Sequence, residues 1–188
     1  MKKIILLATT MFFLSCHNLG NKPGDVSGTS HSNSAAQSIT SNSTGMDAGT
    51  EITVTLTGGT IAGTYTVISK DPTCSEGLTG KNSFGNQYSE KNKADNELSS
   101  VQLIIDDKDA AKKGTSKFYF KAAFGKLLKG KSYEINGGTS FLEMPLMGGG
   151  KATLMESGSA KTVIIEGKTA DGVGISASIK CNSVITAG

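Results

Sequence analysis

The sequence has no arginine, no tryptophan and only two histidines among its 188 residues. Arginine is the residue best suited to bidentate contacts with phosphate and carboxylate groups, so a site of that kind is not expected. His17 and His31 both lie near the start of the chain, outside any segment with a folding pattern. The rest of the chain therefore lacks a histidine for a catalytic triad, and it contains no zinc, phosphate-loop or dinucleotide motif. We expect neither a cofactor nor enzymatic activity.

Long apolar runs are scarce, and one stands at the start of the chain. Lys2 and Lys3 precede eleven mostly apolar residues, 4–14, which Ser15 follows. At about 1.5 Å per helical residue, such a run covers roughly half of the ~30 Å hydrocarbon core of a membrane. A basic start, a short apolar run and a small residue are typical of a secretory signal peptide, which we place at residues 1–15.

The residues Phe13-Leu14-Ser15-Cys16 resemble the lipobox of bacterial lipoproteins. This family commonly has leucine three residues before the cysteine, where this chain has Phe13. The resemblance implies cleavage before Cys16 and acylation of its thiol. Several acyl chains, at about 0.8 kcal/mol per buried CH₂, would hold the chain on a membrane. An ordinary secretory signal with a chance cysteine is the alternative.

Cysteine occurs three times, and an odd number in an exported protein needs an explanation. If Cys16 carries lipid, Cys74 and Cys181 remain as a pair that an oxidising compartment would join. A bridge between them would close a loop of about a hundred residues and stabilise the fold by ~4–5 kcal/mol in the chain-entropy model. Two unpaired thiols are a weaker alternative outside the cytoplasm. A metal site is weaker still, since no histidine lies between the two cysteines.

The charge balance gives no sign of a nucleic-acid partner. Removal of Lys2 and Lys3 would leave 17 lysines against 16 acidic residues, so the pI of about 8.7 reflects the leader. Serine, threonine, glycine and asparagine supply 20 of the 34 residues from 17 to 50. Such a segment buries too little apolar surface to offset its ordering entropy. We therefore expect residues 16–50 to be a lipidated cysteine and a flexible tether.

From residue 51 onward, apolar and polar residues alternate with a period of two, as in strands that bury one face. About eight such strands with glycine-rich turns predict an all-β domain over residues 51–188. We expect an antiparallel immunoglobulin-like β-sandwich, with a small β-barrel as the alternative. The last strand places Cys181 on its buried face. Residues 107–113 and 124–128 are the two helical candidates.

The insert from 75 to 96 is a candidate binding loop. It is rich in glycine, asparagine, lysine and glutamate, and Phe84 and Tyr88 are its aromatic residues. Loops of this length in compact domains are usually either functional or disordered. Aromatic side chains on a polar loop suit recognition, and an unstructured excursion is the equal alternative.

A second candidate loop runs from residue 141 to residue 147 and is followed by three glycines. Pro145 disfavours a strand there. Methionines beside larger apolar side chains make an adaptable patch, suited to a partner or to a lid over an apolar cavity. Packing across an open end of the core is the alternative that we favour. The apolar candidates in this loop are Phe141, Leu142, Met144 and Met147.

Asp106, Asp107 and Asp109 form a weak candidate metal site at the end of a predicted strand. Closely spaced carboxylates can bind calcium, but the spacing is not that of an EF-hand loop and lysines surround them. A solvated charged turn is the better interpretation. The same carboxylates, Asp106 and Asp109, are the residues to test for a third hypothesis, a hydrolase acting on cell-wall glycans.

The layout of the whole chain resembles the mycobacterial 19-kDa lipoprotein antigen type. That family joins a lipidated cysteine and a polar tether to a small β domain with two paired cysteines, the second on the final strand. The resemblance implies display on the cell envelope. If the host is Gram-negative, we expect the outer membrane, because no acidic retention signal follows Cys16. We expect a non-enzymatic lipoprotein that binds an unknown protein or other partner, with a carrier of an apolar ligand or lipid in a barrel cavity as the alternative.

Overall fold

The computed structural model describes residues 49–126 and 129–187. The predicted signal peptide, Cys16 and the predicted tether up to residue 48 lie outside these residues. Thr50 is buried in the first strand, so the β domain begins one residue before the predicted boundary. No helix in the described part of the chain is long and apolar enough to cross a membrane.

Eleven strands and one short helix make up the regular structure of the described residues. The helix α1 spans Lys108–Lys112 and begins after Asp107, within the predicted helical segment. The strands are β1 (Thr50–Thr57), β2 (Gly63–Ser69), β3 (Cys74–Glu76), β4 (Phe84–Ser89), β5 (Leu98–Ile105), β6 (Phe118–Phe124), β7 (Lys131–Asn136), β8 (Gly149–Ser157), β9 (Ala160–Lys168), β10 (Gly174–Cys181) and β11 (Ile185–Thr186).

These strands form two sheets, and the predicted all-β sandwich is confirmed. Sheet A has the order β2-β1-β10-β9-β8, and sheet B has the order β11-β3-β4-β5-β6-β7. Only the short β11–β3 pair is parallel among the described strands. Within residues 49–126 and 129–187, no hydrogen-bonded strand pair joins the two sheets. The described domain is therefore not a closed barrel, which was the alternative fold.

The chain runs through the sandwich as a meander. After the β1–β2 hairpin it enters sheet B, passes through β3 to β7 in order, and returns to sheet A for β8 to β10. The pairing of β10 with β1 completes sheet A. Apart from β10 beside β1 and β11 beside β3, strands that pair within a sheet follow one another along the chain, whereas immunoglobulin domains change sheets more often through Greek-key connections.

Sequence periodicity explains why the central strands of sheet A form. In β1, Ile52, Val54 and Leu56 point inward and are buried, and threonines occupy the other face. Gly58 and Gly59 follow at φ +85° and +76°, a conformation that costs glycine little and lets the chain turn back into β2. The two strands then pair as an antiparallel hairpin.

The core fills the space between the two sheets with side chains from both. Its largest fully buried members include Phe84, Phe118, Phe120 and Phe124 from sheet B. Tyr65 from sheet A packs edge-on against Phe124, with ring centroids 4.7 Å apart.

A disulfide joins Cys74 on β3 to Cys181 on β10, with the Cα atoms 6.1 Å apart. The bridge therefore links sheet B to sheet A, and the pairing predicted from the cysteine count is confirmed. Both residues are fully buried, so the alternation of β10 placed Cys181 correctly.

Two local predictions were wrong. Residues 75–96 are not one long loop, because β3 and β4 occupy much of that stretch and pair with each other. The candidate helix at 124–128 begins with Phe124, which is the last residue of β6 and is paired with Leu98. Residues 127 and 128 lie outside the described part.

Candidate functional site

Phe84 and Tyr88 are not loop residues. Both belong to β4, and their side chains point into the sandwich with 1% and 7% of their surface exposed. Tyr88 reaches Glu90 through its hydroxyl, which donates a hydrogen bond of 2.7 Å. Burial, followed by the contact with this carboxylate, raises the pKa of Tyr88 above its usual range. Both side chains therefore belong to the core, and their placement on a loop was wrong.

The segment from Phe141 to Met147 lies on the surface instead of sealing the core. Phe141 is 53% exposed and Met144 and Leu146 are also exposed, whereas Leu142 and Met147 are half-buried. A backbone bridge between Met147 and Asn136 closes the segment at its far end. The favoured interpretation, packing over an open end of the core, was therefore wrong, and several apolar side chains face solvent.

Asp106 holds the near end of this segment. Its carboxylate accepts hydrogen bonds from the backbone N–H of Ser140 at 2.7 Å and from the Ser140 hydroxyl at 2.9 Å. The Thr139 hydroxyl also donates to it, and in turn accepts from the N–H of Phe141. The buried Asn136 donates from its amide to the carbonyls of Met144 and Pro145 at 3.2 and 2.9 Å. The exposed segment thus has a defined path.

The other two aspartates of the candidate metal site serve the local structure. Asp107 caps α1, accepting from the backbone N–H groups of Asp109 and Ala110. Asn82 donates to Asp107 at 2.6 Å and to Asp109 at 3.3 Å. In the described residues no group of three or more histidine, cysteine or acidic side chains is placed to hold a metal ion. The three aspartates therefore anchor a helix and a loop.

The two candidate segments meet on the outer face of sheet B, where they border a groove of about 260 Å³. Leu78, in the turn between β3 and β4, is 68% exposed and lines one side. Phe141 lines the groove together with Ile104 of β5. We call this feature the sheet B groove. Its full lining is Ser75, Leu78, Thr79, Phe84, Gly85, Asn86, Gln87, Gln102, Leu103, Ile104 and Phe141.

The floor of the sheet B groove follows from strand register. Ser75, Gly85 and Ile104 are cross-strand neighbours in one row, and Gln87 and Gln102 are neighbours in the next. Gly85 has no side chain, so the outer surface of the sheet is recessed between Ser75 and Ile104. A Cβ at this position would lie 3.0 Å from the carbonyl oxygen of Leu103. The glycine therefore deepens the groove.

The polar groups of the groove are uncharged. Gln87 is exposed and Gln102 half-buried, and no other side chain within residues 49–126 and 129–187 forms a hydrogen bond with either side-chain amide. Each amide can both donate and accept hydrogen bonds. The groove thus combines apolar walls with a few polar groups, a composition found in small-molecule sites.

A chain of ion pairs lies apart from the groove and joins α1 to both sheets. Glu156 is 2.7 Å from the Lys161 ammonium and 2.9 Å from that of Lys112. Glu76 of β3 is 2.5 Å from Lys108 and 2.8 Å from Lys161. The hydrogen bond from Lys161, then that from Lys112, lowers the pKa of Glu156 to about 2. These charges stabilise the position of the helix and leave the groove uncharged.

No family model, no curated protein and no solved structure matches this chain. The fold and the site define it only as a disulfide-bonded β-sandwich with an open groove on one outer face.

The sequence located the two bordering segments and, within them, Phe141, but not the other residues that shape the groove. Leu78, Gly85, Gln87 and Gln102 were not singled out, although Gly85 and Gln87 alternate with the inward residues of β4. Recognition of β4 as a strand would have placed both on the outer face.

Proposed function

We propose that this chain is a membrane-anchored lipoprotein of the cell envelope, non-enzymatic, which displays its β-sandwich for binding. The observation that carries the proposal is the cysteine pairing. Because the disulfide uses Cys74 and Cys181, Cys16 is the one cysteine outside it, and it stands in the segment that resembles a lipobox. A structural disulfide also fits an exported protein, since cytosolic thiols are kept reduced.

Further support for a binding role comes from the sheet B groove. Exposed Phe141 and Leu78 face the same groove, and the hydrogen bonds of Asp106 hold the Phe141 segment in place. Exposed apolar side chains grouped around a concavity favour an interaction site over a bare surface. The carboxylates considered for hydrolysis, Asp106 and Asp109, are engaged in loop and helix contacts, which favours the non-enzymatic role.

Acylation of Cys16 is tested by metabolic labelling with an alkyne-modified palmitate in a bacterium that processes lipoproteins. We expect the wild-type chain to take up label and to enter the detergent phase of a Triton X-114 partition. Cys16→Ala should lose the label and leave that phase. The matched control, Cys74→Ala with Cys181→Ala, should keep the label. Label retained by Cys16→Ala, or none in the wild type, would contradict the proposal.

A further inference from the structure

We propose that the sheet B groove binds an uncharged saccharide, with a sugar ring against Phe141 and sugar hydroxyls bonded to the amides of Gln87 and Gln102. This inference deepens the binding role proposed above and rests on it. It names the chemistry of the ligand, which the anchor does not specify.

The absence of charged groups from the described lining sets the first condition on the ligand. Its polar residues with side chains outside the core are Ser75, Thr79, Gln87 and Gln102, none of which ionises. Lys121 is the cross-strand neighbour of Gln102 on β6, outside the lining, and its ammonium lies 3.7 Å from the carboxylate of Glu134. The lining therefore offers an anion or a cation no charged partner to offset the loss of its hydration.

The two glutamines set the second condition. Gln87 and Gln102 are directly opposed across β4 and β5, so their side chains start about 5 Å apart on the same face. Neither amide is engaged by another described side chain. A ligand with neighbouring groups that donate and accept, such as vicinal hydroxyls, can satisfy both amides at once. A purely apolar ligand would bury them without partners, which is unfavourable.

The apolar part of the groove sets the third condition. Phe141 and Leu78 both present hydrocarbon to the groove, and Gly85 leaves room above its floor. A pyranose ring has C–H groups on its face and hydroxyls at its rim, so one ring can cover the aromatic side chain while its edge reaches the amides. An apolar peptide would match the walls and not the glutamines. The three conditions together favour an uncharged saccharide.

Isothermal titration calorimetry tests the inference on the full mature chain, extracted from membranes in detergent. The probes are N-acetylglucosamine hexamer, cellohexaose and maltohexaose, each in matched detergent buffer. We expect measurable binding of at least one probe, with a roughly tenfold weaker Kd for Phe141→Ala, since truncation of a central aromatic contact is costly. Gln102→Met, which keeps the shape and removes the hydrogen bonds, should weaken binding by a similar factor.

Leu146→Ala is the matched control, because Leu146 belongs to the same segment as Phe141, is 73% exposed and lies outside the groove lining. Its Kd should stay within about twofold of the wild-type value. Failure of all three probes to bind would overturn the inference, as would binding that Gln102→Met and Phe141→Ala leave unchanged. Tighter binding of a leucine-rich peptide that no saccharide displaces would also overturn it.

These results are independent of the anchor. Acylated protein that binds none of the saccharides would refute the ligand class and leave the lipoprotein proposal standing. Saccharide binding by a chain that carries no acyl group would support the ligand class and refute the lipoprotein proposal.

Discussion

Asp106 is the single residue on which the position of Phe141 most depends. Its carboxylate accepts from both the N–H and the hydroxyl of Ser140, and from the hydroxyl of Thr139. Hydrogen bonds to a charged group contribute more than neutral ones, and their loss leaves donors without an acceptor. The path of the exposed segment therefore depends on a side chain outside the groove.

We predict that Asp106→Ala lowers the free energy of unfolding by about 1–3 kcal/mol and speeds amide hydrogen exchange of residues 139–147. Urea unfolding and exchange mass spectrometry measure the two effects. Asp95→Ala is the control, because Asp95 is exposed and outside these contacts. Equal exchange in Asp106→Ala and the wild type would show that the segment is held by other means.

At the scale of secondary-structure elements, the ion pairs explain how a helix of only five residues keeps its place. Lys112 at its end contacts Glu156 at 2.9 Å, and Lys108 at its start contacts Glu76 at 2.5 Å. Burial alone would raise the pKa of Glu76, but hydrogen bonds from Lys108 and Lys161 outweigh it, so the pKa is lowered.

The depressed pKa values predict acid destabilisation. The pKa of Glu156 falls from 4.5 to about 2 in the folded protein, through hydrogen bonds from Lys161 and Lys112. A carboxylate whose folded pKa is lowered stabilises the fold fully above its unfolded value, and this contribution is lost as the pH falls toward the folded value. We therefore expect the urea concentration at the midpoint of unfolding to decrease as the pH is lowered from about 4.5 to about 2.

Glu156→Gln should reduce this pH dependence, since it removes the titrating group while keeping its size. Glu143→Gln is the control, because Glu143 is exposed in the 141–147 segment and has no ion pair among the described residues. If the urea midpoint changed with pH equally in the wild type and in Glu156→Gln, the stabilising role of the Glu156 carboxylate would be contradicted.

Strand prediction succeeded where the buried face is entirely apolar. β1 and β10 alternate threonine or serine with aliphatic residues, and both were located from that pattern. β4 was missed because its inward residues are Phe84, Asn86 and Tyr88, so a polar side chain interrupts the apolar series. Asn86 is buried beside the disulfide, where its amide donates to Thr73 at 2.5 Å. Sequence periodicity does not reveal tertiary contacts of this kind.

The groove could be predicted only in part, because tertiary contacts decide which residues meet in it. Its borders come from segments more than fifty residues apart, and cross-strand register alone sets Gln87 beside Gln102. Composition showed that both segments were unusual, but which residues meet depends on the order of strands in sheet B.

At the scale of the whole molecule, the disulfide is a covalent cross-link between the two sheets in addition to the chain connections. It spans a sequence separation of 107 residues, and a closed loop of that size restricts the unfolded chain strongly. We predict that reduction lowers the free energy of unfolding by about 4–5 kcal/mol in the chain-entropy model. Guanidinium unfolding with and without reductant measures the difference.

The matched control is the double variant Cys74→Ser with Cys181→Ser, in which reductant should change nothing. A difference below about 1 kcal/mol for the wild type would show that sheet packing alone determines stability.

The central claim is that one cysteine carries lipid and the other two form the bridge. Intact mass of the native protein extracted from membranes, measured with and without reduction, tests both parts together. The account predicts the mass of residues 16–188 plus acyl groups, rising by about 2 Da on reduction as two thiols form. An unacylated mass that reduction leaves unchanged would contradict the anchor and the bridge alike.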